Sequence, residues 1–183
     1  MKRQSKSFEI ALSAVSCAVA TLFLWLGTLN PFLLASGYIV GCFAMMVPLS
    51  KDFVWGDVLC YLASSLLACV LSGFAFFWKL LPFIVFFGLH PLVNHVQRKI
   101  AERKFPQSKL FPILCWIVKA VWFDLALYLC WKFTFDMNVA VEWINEYIIP
   151  VIFIGGTLFF LAYDRMIFLC QKSVNLAVRR IGR

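Results

Sequence analysis

The sequence predicts an all-α integral membrane protein, a bundle of six transmembrane helices with both termini in the cytoplasm. Hydrophobic residues make up 63% of the 183 residues and charged residues only 14%. Soluble domains average about 45–50% apolar and about 25% charged residues. Six apolar segments reach roughly the 20 residues that a helix needs to cross a bilayer. We therefore expect a single transmembrane domain over residues 1–183 in the cell membrane, and not a soluble enzyme, a coiled coil or a disordered chain.

The six predicted spans follow one another with short connections. The first follows a basic head and ends at Asn30-Pro31 instead of a small-residue cleavage site, so it is predicted as a span and not as a signal peptide. Pro48 closes the short second span, and the polar stretch 97–109 separates the fourth from the fifth as an amphipathic or irregular connection. The predicted spans are about 10–29, 32–49, 53–74, 76–96, 111–135 and 147–170.

The positions of the basic residues predict the orientation. With the N-terminus inside, 13 of the 17 Lys and Arg residues fall in cytoplasmic segments, and Lys79 lies in an outer connection. The last outer loop instead carries Asp136, Glu142 and Glu146. Cytoplasmic loops of membrane proteins hold an excess of Lys and Arg. The net charge of +8 thus indicates orientation and contact with the lipid bilayer, and nucleic acid is not an expected partner.

A first polar group lies in the outer half of span five. Asp124, Tyr128 and Lys132 are spaced four residues apart, with Trp131 beside them, and helical residues at this spacing are neighbours on one face. Such a stripe favours a pocket for a small-molecule substrate between helices. The alternative is a lone Asp124 paired with a neighbouring helix, with Lys132 reaching the lipid headgroups.

A second polar group lies toward the cytoplasmic side of spans three to six. A charge at the centre of a span costs about 2.5–3.5 kcal/mol on insertion scales, so we expect these residues to pair as a structural belt, with a proton or ion relay as the alternative. The two His residues lack metal-ligand spacing, and neither a metal nor another cofactor is predicted. The members of this group are Asp57, His90, Asn94, His95, Lys119, Asp164 and Arg165.

Small residues form a third group. Ala11, Ala14 and Ala18 make a smooth strip on span one, and span two contains the motif Gly37-x-x-x-Gly41. Strips of this kind let helix backbones approach closely, either within the fold or against an external partner helix. The seven cysteines all fall in apolar segments and are interpreted as free thiols. No catalytic motif is present, so no catalytic residue is predicted.

The length, the six spans, the basic N-terminus and Ala14-x-x-x-Ala18 together resemble the substrate-binding (S) component of an energy-coupling factor transporter. The resemblance covers the whole chain in layout and one short motif in sequence. It implies that Ala14 and Ala18 contact a transmembrane scaffold subunit, that separate ATPase subunits power uptake, and that a vitamin or related micronutrient binds toward the outer side.

Two other hypotheses remain open at this point. One is a non-enzymatic structural or assembly membrane protein that binds partner helices. The other is an intramembrane enzyme or lipid-handling protein built on His90, Asn94 and Lys119.

Overall fold

The computed structural model describes residues 6–106, 108, 110–134, 147 and 149–181. These residues are 90% helical and contain no strand, which confirms the all-α class. Two π-helical segments, Phe83–Phe87 and Val151–Gly156, accompany the α-helices. The α-helices are α1 (Lys6–Leu29), α2 (Pro31–Leu49), α3 (Val54–Leu71), α4 (Phe77–Pro82), α5 (His90–Lys104), α6 (Leu110–Thr134) and α7 (Thr157–Ile181).

Six helices are long and apolar enough to cross a membrane, as the sequence predicts. They are Lys6–Leu29, Pro31–Leu49, Val54–Leu71, Phe77–Lys104, Leu110–Lys132 and Val151–Val178. Two ends differ most from the prediction. The fourth helix continues through much of the polar stretch expected to be a connection, and the sixth continues beyond Cys170. Polar residues sustain a helix once packing has nucleated it, here with Arg98 and Glu102 one turn apart, 4.0 Å between Nε and Oε1.

The described residues fall into two compact units. One contains residues 6–95 and 167–181, and the other contains the described part of 96–166. In the first unit α1, α2 and α3 pack together around a core of buried apolar side chains. Leu24, Met45 and Phe83 are each at most 1% exposed in this core.

The glycines of α2 allow the backbones within this unit to approach closely. A Cβ atom at Gly37 would lie 2.7 Å from the carbonyl oxygen of Phe23 on α1. At Gly41 it would lie 2.7 Å from the ring of Phe83. Of the two alternatives for the Gly37-x-x-x-Gly41 motif, the structure therefore shows packing within the fold.

Both π-helical segments follow a proline directly, Pro82 and Pro150. Proline has no N–H group, and its ring crowds the preceding turn, so the regular hydrogen-bond ladder breaks there. In the segment Phe83–Phe87, two carbonyl groups accept hydrogen bonds from side chains of other helices. Tyr61 donates its hydroxyl to the carbonyl of Ile84 at 2.7 Å, and Cys42 donates its thiol to the carbonyl of Phe87 at 2.9 Å. The widened turn is thereby held by side chains of α2 and α3.

Candidate functional site

The second unit places a carboxyl group against a π-helical turn. Asp124 on α6 is 4% exposed, and its Oδ2 lies 2.8 Å from the hydroxyl of Thr157, the first residue of α7. Its Oδ1 faces Gly156, where a Cβ atom would lie only 2.7 Å away. That oxygen accepts no hydrogen bond from the described residues. π-helical turns occur often at functional sites, and this one provides a buried carboxyl oxygen with unused acceptor capacity.

The Thr157 hydroxyl is shared between two acceptors. Besides Asp124, it lies 2.7 Å from the carbonyl oxygen of Phe153, and a hydroxyl has only one hydrogen to donate. An ionised Asp124 takes that hydrogen and leaves the Phe153 carbonyl without it. A neutral Asp124 can instead donate to Thr157, which then donates to Phe153. The arrangement can therefore change hydrogen-bond direction without moving a heavy atom.

A buried ion pair joins the same two helices further along. Lys119 of α6 donates to Asp164 of α7, with 2.8 Å between Nζ and Oδ1. The side chains are 7% and 20% exposed. Phe123 and Phe160 pack between the two polar contacts, with 5.5 Å between ring centroids. Lys119 and Asp164, both assigned to the polar belt, thus pair directly, whereas Arg165 is exposed.

The other residues of the predicted substrate stripe lie progressively closer to the C-terminal end of α6. The rings of Tyr128 and Trp131 are 6.1 Å apart between centroids, and both residues are half-buried. Lys132 is exposed. Asp124 is therefore the buried member of the stripe, and Lys132 faces the surroundings of the molecule.

The remaining belt residues lie in the first unit and form two separate contacts. The ring of His90 is fully buried, with its Nδ1 3.5 Å from Nδ2 of Asn94. His95 Nε2 lies 3.2 Å from Oδ1 of Asp52, a residue in the turn between α2 and α3. Asp57 is fully buried on α3 and accepts no hydrogen bond from the described residues.

The alanine strip of α1 lies on the outside of the molecule. Ala11, Ala14 and Ala18 are exposed, as are Val15 and Val19 beside them. The packed face of α1 consists of other residues, namely Ser16, Ala20, Thr21, Leu24, Gly27 and Thr28. The strip is thus free to contact another helix.

Two residues of these sites were missed by the sequence reasoning. Thr157 and Asp52 form these contacts but are not among the site residues predicted from the sequence. A hydroxyl near an intramembrane carboxyl is a weak signal in sequence, because the pairing depends on how two distant helices are rotated. No group of three metal-ligating side chains occurs among the residues described.

Comparison with known proteins found no match, either to a family model, to a curated protein or to a solved structure.

Proposed function

We propose that this protein is a membrane-embedded substrate-binding subunit for the uptake of a small molecule, similar to the S components of energy-coupling factor transporters. The observation that carries the proposal is the buried Asp124 beside the π-helical turn. Its Oδ1 is available to accept a hydrogen bond from a ligand. Intramembrane ionisable residues commonly mark substrate or ion pathways. A vitamin or related micronutrient with a hydrogen-bond donor is the expected class of ligand.

The exposed face of α1 supports the proposal that the protein is a subunit that binds a partner. Ala14 and Ala18 present a smooth outer surface, while the opposite face of the helix is packed. Small residues let a partner helix approach closely in the membrane. The proposed partner is a transmembrane scaffold subunit joined to ATPase subunits, as the resemblance to S components implies.

Replacing Asp124 with Asn is expected to weaken ligand binding at least tenfold. The substitution keeps the size of the side chain but removes its charge, and a hydrogen bond to a charged group contributes about 1.5–3 kcal/mol. Native mass spectrometry of the detergent-purified protein would show the bound small molecule in the wild type and its loss in Asp124→Asn. Unchanged ligand occupancy in a folded variant would refute the assignment of Asp124.

Glu102→Gln is a matched control for this experiment. Glu102 also lies in a long helix, but its side chain is 69% exposed. The same charge change at this position should leave both the ligand and the helical circular dichroism spectrum unaffected. Loss of ligand in both variants would indicate a general charge effect instead of a binding site.

Replacing Ala14 with Leu is expected to abolish co-purification of the partner subunits while leaving the isolated protein as stable as wild type. The larger side chain points outward, so it obstructs only an approaching helix. Pull-down from membranes combined with thermal unfolding of the purified protein checks both halves of the expectation. A variant that still captures its partners would show that the interface lies elsewhere.

A second candidate is a non-enzymatic assembly protein that binds partner helices and no small molecule. The same exposed alanine strip favours it. Under this hypothesis Ala14→Leu has the effect described above, but no ligand is retained in any variant. The mass spectrometry experiment therefore separates the two functions.

A further inference from the structure

Two contacts define how α1 and α3 lie against each other. The hydroxyl oxygen of Ser13 would be 2.5 Å from a Cβ atom at Gly56, and the thiols of Cys17 and Cys60 lie near each other. The second contact lies four residues after the first on both helices. The two helices therefore run in parallel and in register, forming a seam of small and polar side chains.

Asp57 lies on the buried face of α3, directly after Gly56 and one turn before Cys60. It is fully buried, and neither of its carboxyl oxygens accepts a hydrogen bond from the described residues. Two hydroxyl groups further along the same helices, those of Thr21 and Ser65, are also buried and have no hydrogen-bond partner in the part of the chain that the structure describes. The helices α1 and α3 thus bury polar groups whose hydrogen-bonding capacity is not used by the described residues.

The surrounding charges do not compensate an ionised Asp57. Lys51, in the preceding turn, lies 6.0 Å from the ring centroid of Phe8. The Oδ1 atom of Asp52 lies 3.2 Å from Nε2 of His95. Lys79 donates to the carbonyl of Thr28 at 2.9 Å. The titratable groups on α3 and on the helices packed against it are Lys6, Glu9, Cys17, Tyr38, Cys42, Cys60, Tyr61, Cys69 and Lys79.

The ionised and the neutral form of the Asp57 carboxyl group need different hydrogen-bond partners. A carboxylate offers about four acceptor positions and needs donors or a counter-ion, whereas a neutral carboxylic acid has one hydrogen to place. Burying an uncompensated charge costs far more than burying a neutral polar group. The neutral acid is therefore the form that the described surroundings can hold.

We propose that Asp57 is a proton-binding site. Its carboxyl group holds a proton while it is buried on α3, and it releases that proton to water once water reaches it. The O–H bond breaks, the electron pair stays on the carboxylate, and the proton leaves as hydronium. The site is independent of the small-molecule site proposed at Asp124, because it lies on other helices and in the other compact unit.

Infrared spectroscopy of the protein in lipid vesicles tests the proposal. With isotope-labelled aspartate, the wild type at neutral pH should show the C=O stretching band of a protonated aspartic acid, and Asp57→Asn should lose that band. The exposed Glu102→Gln should keep it. Detection of Asp57 only as a carboxylate at neutral pH, with no acid band removed by Asp57→Asn, would overturn the proposal.

A second measurement covers the case in which Asp57→Asn does not fold. Asp124→Asn with labelled aspartate removes the other buried, incompletely paired carboxyl, so a remaining acid band is expected from Asp57. Absence of the acid band from Asp124→Asn would count against the site.

Discussion

Replacing Lys119 with Met is expected to destabilise the folded protein by about 3 kcal/mol, the lower end of the range for breaking a buried pair, because the substitution leaves the half-buried Asp164 without this counter-ion. The pair is short, 2.8 Å between Nζ and Oδ1, and the lysine side chain is 7% exposed. Thermal or denaturant unfolding in detergent micelles, followed by circular dichroism, measures the loss.

The double variant Lys119→Met/Asp164→Leu removes both charges. It therefore distinguishes the attraction between the two side chains from the cost of burying one of them unpaired. Buried ion pairs can often be replaced by apolar residues at little cost, so this variant should recover most of the lost stability. Arg98→Met provides the exposed control. Its partner Glu102 is 4.0 Å away, and exposed pairs contribute about 0–1 kcal/mol. Equal effects of Lys119→Met and Arg98→Met would contradict the importance of burial.

Replacing Gly37 with Leu is expected to produce the second large effect. A Cβ atom at this position would meet the backbone oxygen of Phe23 at 2.7 Å, and a backbone atom cannot rotate away as a side chain can. The helices α1 and α2 would have to separate. Overpacking of a dense core costs about 1–3 kcal/mol, occasionally more. The melting temperature of the purified variant measures the effect.

Ala35→Leu tests whether this effect comes from the close approach of the helices. Ala35 lies two residues earlier on the same helix and is exposed. The added side chain should leave stability within about 0.5 kcal/mol of wild type. Comparable losses in Ala35→Leu and Gly37→Leu would show that α2 tolerates no larger side chain, whichever way it points.

The existence of six long apolar helices could be predicted from the sequence because each consists of a nearly uninterrupted apolar run. The ends of the helices are predicted less accurately. The helix that contains α5 continues to Lys104 although residues 97–104 are polar, and apolar content indicates only where a helix lies in lipid. The orientation of the termini rests on the basic residues alone and stays a prediction.

The candidate site could be predicted in part. Asp124 and the pair Lys119 and Asp164 were singled out because charges are rare inside spans. Their partners depend on helix rotation, which the sequence does not specify. Four residues overshoot a helical turn by about 40°, so Lys132 lies about 80° around α6 from Asp124. This drift explains why one end of the predicted stripe is buried and the other exposed.

The π-helical segment before Thr157 determines how this part of the chain responds to a change in length. A π-helical turn contains one more residue than the α-helical turn it replaces, and a residue in an α-helix corresponds to a rotation of about 100°. Removing a single residue between Val151 and Gly156 would therefore restore an α-helical turn with nearly the same total rotation, and Thr157 would still face Asp124. In this part of the chain, the widened turn lets the helix lose one residue without changing which side chains meet.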